Sequence, residues 1–324
     1  MKAIVYYRYG SPDVLECREI EKPAPGAGMV LVQVQAAAVN PYDWHFLRGT
    51  PGFIRMLTGL RAPKSPRLGA DAAGVVEAVG PGTERLKPGD RVFGTLKGAF
   101  AECACGKESE LALIPPDLTF QQAASVPIAG ITALQGLRNS GQVTAGQTVL
   151  INGAAGGVGT FAVQIAKALG ATVTGVCSTR NKELIAALGA DRVIDYTRED
   201  FTRGSIRYDV IFDLVGNHSL SAIRRALEPR GVFVGCGGGG PDQPSGKLLA
   251  GMLAPAFAAP FSRQKLTSVF AKVNTDDLNV LAGMLAAGTV KPVLDRSYPL
   301  VDTAEAIRYV EGCHARGKVT IDVA

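Results

Sequence analysis

The sequence predicts an α/β protein with a small, mostly β barrel followed by a doubly wound parallel sheet covered by helices on both faces. A single hydrophobic core stops growing at about 250 to 300 residues, so a chain of 324 residues is expected to form two domains. The first third consists of short β-branched runs broken by Gly and Pro, and later segments alternate between strand and helix patterns. Hydrophobic residues make up 47% and charged residues 19%, the balance of a globular enzyme.

The first part of the chain contains the runs expected to form the barrel. They are Lys2–Tyr7, Met29–Ala38, Gly74–Val79, Arg91–Phe93 and Ala99–Ala104. Pro115 and Pro116 then interrupt the chain, and Phe120–Leu137 is expected to be a helix broken near Pro127 and Gly130. A domain boundary is therefore expected near residue 120.

The second part is expected to form a parallel sheet because apolar strands alternate with amphipathic helices. The expected strands are Thr148–Asn152, Thr172–Cys177, Arg192–Asp195, Asp209–Leu214 and Gly231–Gly235, and the helices are Val158–Leu169, Lys182–Leu188 and Ser219–Leu227. The tail is expected to contain helices at Asp277–Ala287 and Thr303–His314, an extended piece at Pro292–Tyr298 and a last strand at Lys318–Val323.

Composition favours a cytoplasmic protein that acts on a small molecule. The net charge of +5 contains no block of like charges, so neither a nucleic acid nor a membrane partner is expected. The six cysteines form no disulfide-like framework, and the N-terminus shows no apolar signal region. The most apolar late stretch, Leu248–Phe261, contains two prolines and is too short to span a bilayer.

A glycine-rich turn between a buried strand and a helix predicts a dinucleotide site. The segment reads Asn152-Gly-Ala-Ala-Gly-Gly-Val-Gly159, and a second strand follows about 20 residues later. Gly156 lets a pyrophosphate approach, Gly159 lets the helix pack on the strand, and the amides at the helix start attract an anion. Ala154 replaces the first glycine of the usual pattern, and a turn with no ligand is the alternative.

The end of the second strand favours NADP(H) over NAD(H). NAD-binding proteins place a carboxylate there, whereas this chain has Ser178, Thr179, Arg180 and Lys182. Hydroxyls and cations suit a 2′-phosphate, and an anion would stabilise cations at a helix N-terminus. The alternative is that both cations are ordinary solvated charges.

Together these motifs resemble the medium-chain dehydrogenase/reductase superfamily, in its zinc-free quinone-oxidoreductase-like branch. The matching segments are Ala37–Asp43, Gly69–Gly80, Lys87–Val92, Ala154–Gly159 and Gly317–Val319, and they cover nearly the whole chain in the expected order. The resemblance implies a GroES-like barrel domain, formed by residues 1–120 together with 275–324, and a Rossmann NADP-binding domain at residues 121–274. It also implies a cofactor in a cleft and a homodimer.

The resemblance further implies which residues contact the cofactor. They are Asn40, Ala154, Ala155, Gly156, Gly157, Val158, Gly159, Ser178, Thr179, Arg180, Lys182, Tyr196, Asn217, Val234, Gly235, Cys236, Gly237 and Lys318.

No zinc site is expected, because the positions that hold the catalytic metal in zinc-dependent members carry Asn40, Ala70 followed by Asp71, and about Ile128. Cys103 and Cys105 lack the four spaced cysteines of a structural zinc lobe. Asp71 is either a buried general acid or a turn residue bonded to backbone amides.

Without a metal to polarise a simple ketone or alcohol, a quinone or another α,β-unsaturated carbonyl is the expected hydride acceptor. Tyr42 and His45 are the candidate catalytic residues. By motif position they match a proton-relaying hydroxyl and an outward relay histidine, and the alternative is that they only line the cleft wall. The absence of a tyrosine at Phe53 argues against an enoyl-thioester reductase.

The segment Phe53–Arg67 is either a cleft lip that selects acid-tailed substrates or ordinary solvated surface, and Gly237–Pro260 is either a flexible edge or a dimer-facing loop. The alternative functions are a metal-free alcohol or aldehyde dehydrogenase and a catalytically silent NADPH-binding sensor, because the secure motifs bind cofactor and none of them fixes the chemistry.

Overall fold

The structure, a computed structural model, describes residues 1–236 and 263–323. The whole of the segments Gly237–Pro260 and Leu248–Phe261 lies outside these residues. The chain divides into two compact units. One consists of Met1–Ile131, Val273–Gly288 and Pro292–Ala324, and the other of Thr132–Lys272 and Thr289–Lys291.

The first unit is built mainly from antiparallel strands. Its elements are β1 (Lys2–Val5), β2 (Glu16–Glu19), β3 (Met29–Val39), α1 (Pro41–Arg48), α2 (Phe53–Thr58), β4 (Asp71–Val79), β5 (Arg91–Thr95), β6 (Cys103–Lys107), β7 (Leu111–Leu113) and α3 (Phe120–Ala124); α4 (Pro127–Gln135) begins in it. Phe120–Ala124 packs on β3, β4 and β5, so this unit continues past residue 120, where the sequence places the boundary.

The second unit follows the alternating pattern read from the sequence. Its elements are β8 (Thr148–Asn152), α5 (Gly157–Ala168), β9 (Thr172–Cys177), α6 (Lys182–Ala187), β10 (Arg192–Asp195), β11 (Tyr208–Asp213), α7 (Leu220–Ala226), β12 (Leu227–Gly235) and β13 (Lys265–Ser268). The chain then returns to the first unit with α8 (Thr275–Ala286), β14 (Leu294–Pro299), α9 (Thr303–Glu311) and β15 (Lys318–Asp322).

Strand pairing explains why the tail belongs to the first unit. In the described residues one sheet has the order β14-β15-β3-β4-β5-β7, with β6 also paired to β3. β15 pairs antiparallel with the end of β3, with Thr320 opposite Ala38. Trp44, Leu47, Phe100 and other buried side chains form the core of this unit.

The second sheet is parallel throughout its described part, in the order β10-β9-β8-β11-β12-β13. This order reverses direction at β8, which is the switch point where dinucleotides bind in Rossmann-type sheets. The expected mixed α/β fold, with a GroES-like unit and a Rossmann-type unit, is confirmed.

Several expected boundaries were wrong. The strand expected at Ala99–Ala104 is Cys103–Lys107, because the backbone at Phe100 and Ala101 instead meets β1. The strand expected at Gly231–Gly235 already starts at Leu227. The sequence pattern also missed β2 and β7, which are only four and three residues long.

Within residues 1–236 and 263–323, no helix is long and apolar enough to cross a membrane. The cytoplasmic location stays a prediction.

Candidate functional site: a nucleotide loop and a buried polar network

The glycine turn between β8 and α5 has the geometry that the sequence predicts. Gly153 has φ +88°, a conformation that favours glycine, and Gly156 is the N-cap residue of α5. A Cβ at Gly159 would lie 2.2 Å from the carbonyl oxygen of Gly153, so only glycine allows this close approach of helix and turn. A Cβ at Gly156 would meet only Gly153 O, at 3.5 Å, so the protein leaves space beside it.

The same turn offers amide donors to an anion. The first amides of an α-helix have no carbonyl partner within the helix. The N-cap residue, Gly156, has no side chain that could cap the N-terminus of α5. Ala154 and Gly153 are tied to Val176 O on β9 by their own amides, at 3.0 and 3.3 Å, which fixes the turn between the two strands. The residues present therefore fit a pyrophosphate.

The residues after β9 form a polar rim. Arg180 and Lys182 are exposed, and Ser178 Oγ accepts a hydrogen bond from Asn181 Nδ2 at 3.2 Å. Thr179 instead donates its hydroxyl to Asp195 Oδ2 at 2.6 Å, so its proton is already committed. The end of β9 itself carries no carboxylate, as the sequence indicates.

Asp195 is a residue that sequence reasoning missed. It ends β10, beside the polar rim, and accepts hydrogen bonds from Thr179 and from the amide and hydroxyl of Thr197. These bonds, of which the one from Thr179 contributes most, lower the pKa of Asp195. Tyr196 follows it with an exposed ring. The carboxylate therefore faces local donors and stays ionised.

The carboxyl ends of β8, β11 and β12 hold a second group of predicted residues. Asn152 Nδ2 donates to Asp213 Oδ1 at 2.8 Å and to Asn217 Oδ1 at 2.9 Å. Val234 is buried on β12, and burial raises the pKa of the Cys236 thiol to about 12. Asn152 and Asp213 were not predicted; they are buried polar residues that orient the exposed Asn217.

The first unit contains a buried polar network built from three distant parts of the chain. Asn40 Nδ2 donates to Asp71 Oδ2 at 2.9 Å, and Lys318 Nζ donates to Asn40 Oδ1 and, at 3.2 Å, to Val39 O. Ile128 N donates to both carboxylate oxygens of Asp71 at 3.2 Å. Asn40, Asp71 and Lys318 are 2%, 0% and 3% exposed. The carboxylate and the ammonium together fix the amide orientation of Asn40.

Burial and charge act in opposite directions on the two ionisable groups of this network. Burial raises the pKa of Asp71 to about 6, although Lys318, Asn40 and Ile128 lower it. Burial lowers the pKa of Lys318, against the attraction of Asp71 and Asp43. The distance between Lys318 Nζ and Asp71 Oδ2 is 3.9 Å. Each charge therefore depends on the other to remain ionised inside the unit.

Asp43 lies next to this network and is fully buried. Its Oδ2 accepts a hydrogen bond from Asn40 N at 2.8 Å, at the start of α1, whereas its Oδ1 is buried with no hydrogen-bond partner in the described structure. Burial, and secondarily the charge of Asp71, raises the pKa of Asp43 to about 8. The sequence motif contains this residue, but its burial could not be read from the pattern.

Tyr42 and His45 both lie on α1, three positions apart and therefore on neighbouring parts of one helical surface. Tyr42 is 42% exposed and its ring packs on Phe46. Burial of part of the ring, followed by the charges of Asp43 and Asp71, raises the pKa of Tyr42 to about 12. The phenol therefore keeps its proton near neutral pH.

His45 is held in one tautomer. Its Nδ1 lies 2.8 Å from Thr50 O, a carbonyl that can only accept, so Nδ1 carries the proton. Burial lowers the pKa of His45, against the bond to Thr50. A neutral imidazole with Nε2 available as an acceptor follows from this arrangement.

The barrel unit and the Rossmann unit with its nucleotide loop define a dehydrogenase or reductase of the medium-chain type. Two family descriptions match the chain: "Alcohol dehydrogenase GroES-like domain" over residues 26–166 and "Zinc-binding dehydrogenase" over residues 188–321. Among curated proteins, the NADPH-dependent alkenal/one oxidoreductase of Arabidopsis thaliana is 35% identical, over 99% of this chain and 79% of the relative. The quinone oxidoreductase of Rattus norvegicus is 33% identical, over 98% and 96%.

Solved structures give the same result. The quinone oxidoreductase of Coxiella burnetii superposes with a TM-score of 0.87 at 29% identity, covering 100% of this chain and 99% of the other. The Escherichia coli quinone oxidoreductase complexed with NADPH gives 0.82 at 26% identity, with 100% of both chains covered. The chain belongs to the quinone-oxidoreductase-like branch of the medium-chain dehydrogenase/reductase superfamily. The resemblance inferred from sequence is confirmed.

One of the matching families is described as zinc-binding, and the residues at the corresponding positions of this chain do not fit a zinc ion. Among residues 1–236 and 263–323, no three His, Cys, Asp or Glu side chains are grouped to hold a metal. At the corresponding positions, Asp71 is bound by the Asn40 amide and the Ile128 amide, and a buried ammonium lies 3.9 Å from its carboxylate. A cation in this place would be repelled by Lys318.

Proposed function

We propose that this protein is a zinc-independent, NADPH-dependent oxidoreductase that transfers hydride to a quinone or to another α,β-unsaturated carbonyl. The observation that carries the proposal is the network of Asn40, Asp71 and Lys318. At positions where zinc-dependent members hold their catalytic metal, this network has side chains that already bind one another. Relatives named alkenal/one oxidoreductase and quinone oxidoreductase support the same acceptor class.

The proposed cofactor is NADP(H), and the Rossmann unit supplies its binding groups. The turn from Gly153 to Gly159 and the first amides of α5 would hold the pyrophosphate. Arg180, Lys182 and the hydroxyl of Ser178 would hold the 2′-phosphate, where no carboxylate ends β9. When bound, NADPH supplies the hydride. A relative solved in complex with NADPH supports this choice.

Two further groups of predicted cofactor contacts have different proposed roles. Tyr196 and Asn217 are exposed at strand ends of the Rossmann unit and are proposed direct contacts. Asn40 and Lys318 are buried and bound to each other, so we propose that they act by fixing the backbone at the β3–α1 junction. Substitution of a direct contact should therefore have a different kinetic effect from substitution of a residue that fixes the backbone.

Tyr42 is the proposed proton donor to the reduced acceptor. Its raised pKa keeps the phenol protonated, which suits a group that must donate to a developing oxyanion. His45, neutral and on the same helical surface, is the proposed relay that returns a proton from solvent. Delocalisation of charge in a conjugated acceptor makes one hydrogen-bond donor sufficient, whereas a simple ketone would need stronger polarisation.

The test is turnover of purified, chelator-treated protein with NADPH and with NADH, against quinones, enones, enals, simple ketones and alcohols. Reduction of conjugated acceptors with NADPH preferred supports the proposal. Turnover of simple alcohols or ketones alone would favour a metal-free alcohol or aldehyde dehydrogenase. Tight NADPH binding without turnover of any acceptor would favour the silent sensor. Sedimentation of the same sample tests the proposed homodimer.

A further inference from the structure

The short helix α2 exposes most of its apolar side chains, whereas a helix that packs on a core normally buries them. Phe53, Met56 and Leu57 follow the spacing of one helical face, and they are 43%, 73% and 72% exposed. Leu60, just past the helix end, is 72% exposed. Surface helices normally turn such a stripe inward. The exposed stripe therefore requires another explanation.

The opposite face of α2 is firmly attached to the first unit. Ile54 is buried, and Thr58 Oγ1 lies 2.8 Å from the hydroxyl oxygen of Tyr9, which lies outside the helix. Tyr9 OH donates to Gly59 O at 2.6 Å, and the Arg55 guanidinium lies 4.8 Å from the centre of the Tyr9 ring. These contacts on the inner face of α2 fix the helix so that its apolar stripe stays exposed.

The charged residues in the sequence segment that contains the stripe all have one sign. The segment from Trp44 to Ala70 contains no acidic residue. Arg61 and Lys64 are exposed directly after the stripe, and within the described parts of the chain neither pairs with a carboxylate. The protein as a whole has a net charge of +5. An apolar stripe within a segment whose only charges are cationic matches hydrocarbon beneath anionic head groups.

We propose that the surface of Phe53, Met56, Leu57, Leu60, Arg61 and Lys64, here called the 53–64 surface, docks the protein on an anionic lipid surface. A second copy is a poorer occupant, because a two-fold contact would bring the cations of both copies together. This inference is independent of the proposed catalytic function. It also differs from the expectation drawn from charge blocks, because the stripe becomes evident only once the orientation of α2 is known.

The test is co-sedimentation of the full-length protein with vesicles of phosphatidylcholine alone and of phosphatidylcholine with phosphatidylglycerol. We expect binding only to the anionic vesicles, and loss of binding in about 1 M salt, where the Debye length falls to about 3 Å. Met56→Ser/Leu57→Ser/Leu60→Ser should weaken binding at least about tenfold. Arg61→Gln/Lys64→Gln should weaken it by about fivefold for each charge removed.

Matched controls replace equally exposed residues elsewhere. Leu113→Ser/Val301→Ser/Phe270→Ser and Lys87→Gln/Lys97→Gln should bind as the parent protein does. Absence of binding to anionic vesicles, or equal losses in the controls, would overturn the proposal. So would a sedimentation shift showing that the triple serine variant breaks up a self-associated form.

A second readout serves in case the triple variant does not fold. In a Cys17→Ser/Cys313→Ser background, Leu57→Cys and Val301→Cys are each labelled with an environment-sensitive fluorophore. The label at position 57 should show a blue shift with anionic vesicles, and the label at position 301 should not. No shift at position 57 would also overturn the proposal.

Discussion

Replacing Lys318 with methionine removes the only cation in the buried network and keeps a similar side-chain volume. Its ammonium bonds to Asn40 Oδ1 and Val39 O and lies 3.9 Å from Asp71 Oδ2. Asp71 is 0% exposed, so the variant leaves a carboxylate buried without a counter-charge. Breaking a buried pair in this way costs about 3–5 kcal/mol. We expect the free energy of unfolding of the first unit to fall by this amount at pH 7.

The stability lost in the Lys318→Met variant should depend on pH in a defined direction. Without Lys318, the pKa of Asp71 rises further above its present value of about 6. A raised pKa means that the folded state keeps a proton that the unfolded state loses, so stability is retained at low pH and lost as pH rises. The Lys318→Met variant should therefore be less destabilised at pH 5 than at pH 8.

A double-mutant cycle separates this electrostatic effect from simple repacking. Asp71→Asn leaves the ammonium without its carboxylate, whereas Lys318→Met/Asp71→Asn removes both charges. The double variant should be more stable than the sum of the single losses predicts, by about 1–3 kcal/mol. Trp44, the only tryptophan, is buried in the first unit, so its fluorescence in urea reports on the unfolding of that unit. Additive losses, or a cost for Lys318→Met below about 1 kcal/mol, would refute the argument.

Gly159→Ala should weaken NADPH binding at least about tenfold, because the new Cβ would lie 2.2 Å from Gly153 O; Gly283→Ala, with nothing within 4 Å, is the control for calorimetric titration. Arg180→Gln should raise the Kd for NADPH several-fold and leave that for NADH nearly unchanged, and equal effects on both would contradict a 2′-phosphate contact. Tyr42→Phe should lower kcat by about 10²-fold or more with a smaller effect on KM, and an unchanged kcat would remove Tyr42 from the proton transfer. Because the pKa of Asp43 is raised to about 8, the folded parent protein keeps a proton that the unfolded chain loses. Between about pH 5 and pH 8, the free energy of unfolding of the parent should therefore fall, relative to that of Asp43→Asn, by up to about 1.4 kcal/mol per pH unit. Urea unfolding at several pH values measures this difference, and parallel pH dependences for the two proteins would contradict a protonated Asp43.

The parts of the molecule that depend on neighbouring residues were predictable from the sequence. The β8 strand, the glycine turn and α5 form one local unit, in which apolar periodicity and glycine positions determine the structure. The boundaries there differ from expectation by about one residue. By contrast, α1 and α2 were not predicted as helices, because Pro41, Pro51 and several glycines hide their short periodic pattern.

The buried network could not be predicted as a network. Asn40 and Asp71 are 31 positions apart, and Asn40 and Lys318 are 278 apart. Family motifs identified Asn40 and Lys318 as functional, but only strand pairing between β15 and β3 brings them together. The partnership of Thr179 with Asp195 was missed for the same reason, since it joins a residue that follows β9 to the last residue of β10. Contacts between distant residues require the fold itself.

The most direct test of the central claim is the fate of one deuterium atom. Chelator-treated protein is incubated with a simple enone and with NADPH that carries deuterium at the transferable position, and the product is analysed by NMR. The account predicts a saturated ketone with deuterium at its β-carbon, formed at the same rate when zinc is added. Deuterium at the carbonyl carbon of an alcohol product, or transfer that occurs only after zinc is supplied, would contradict it.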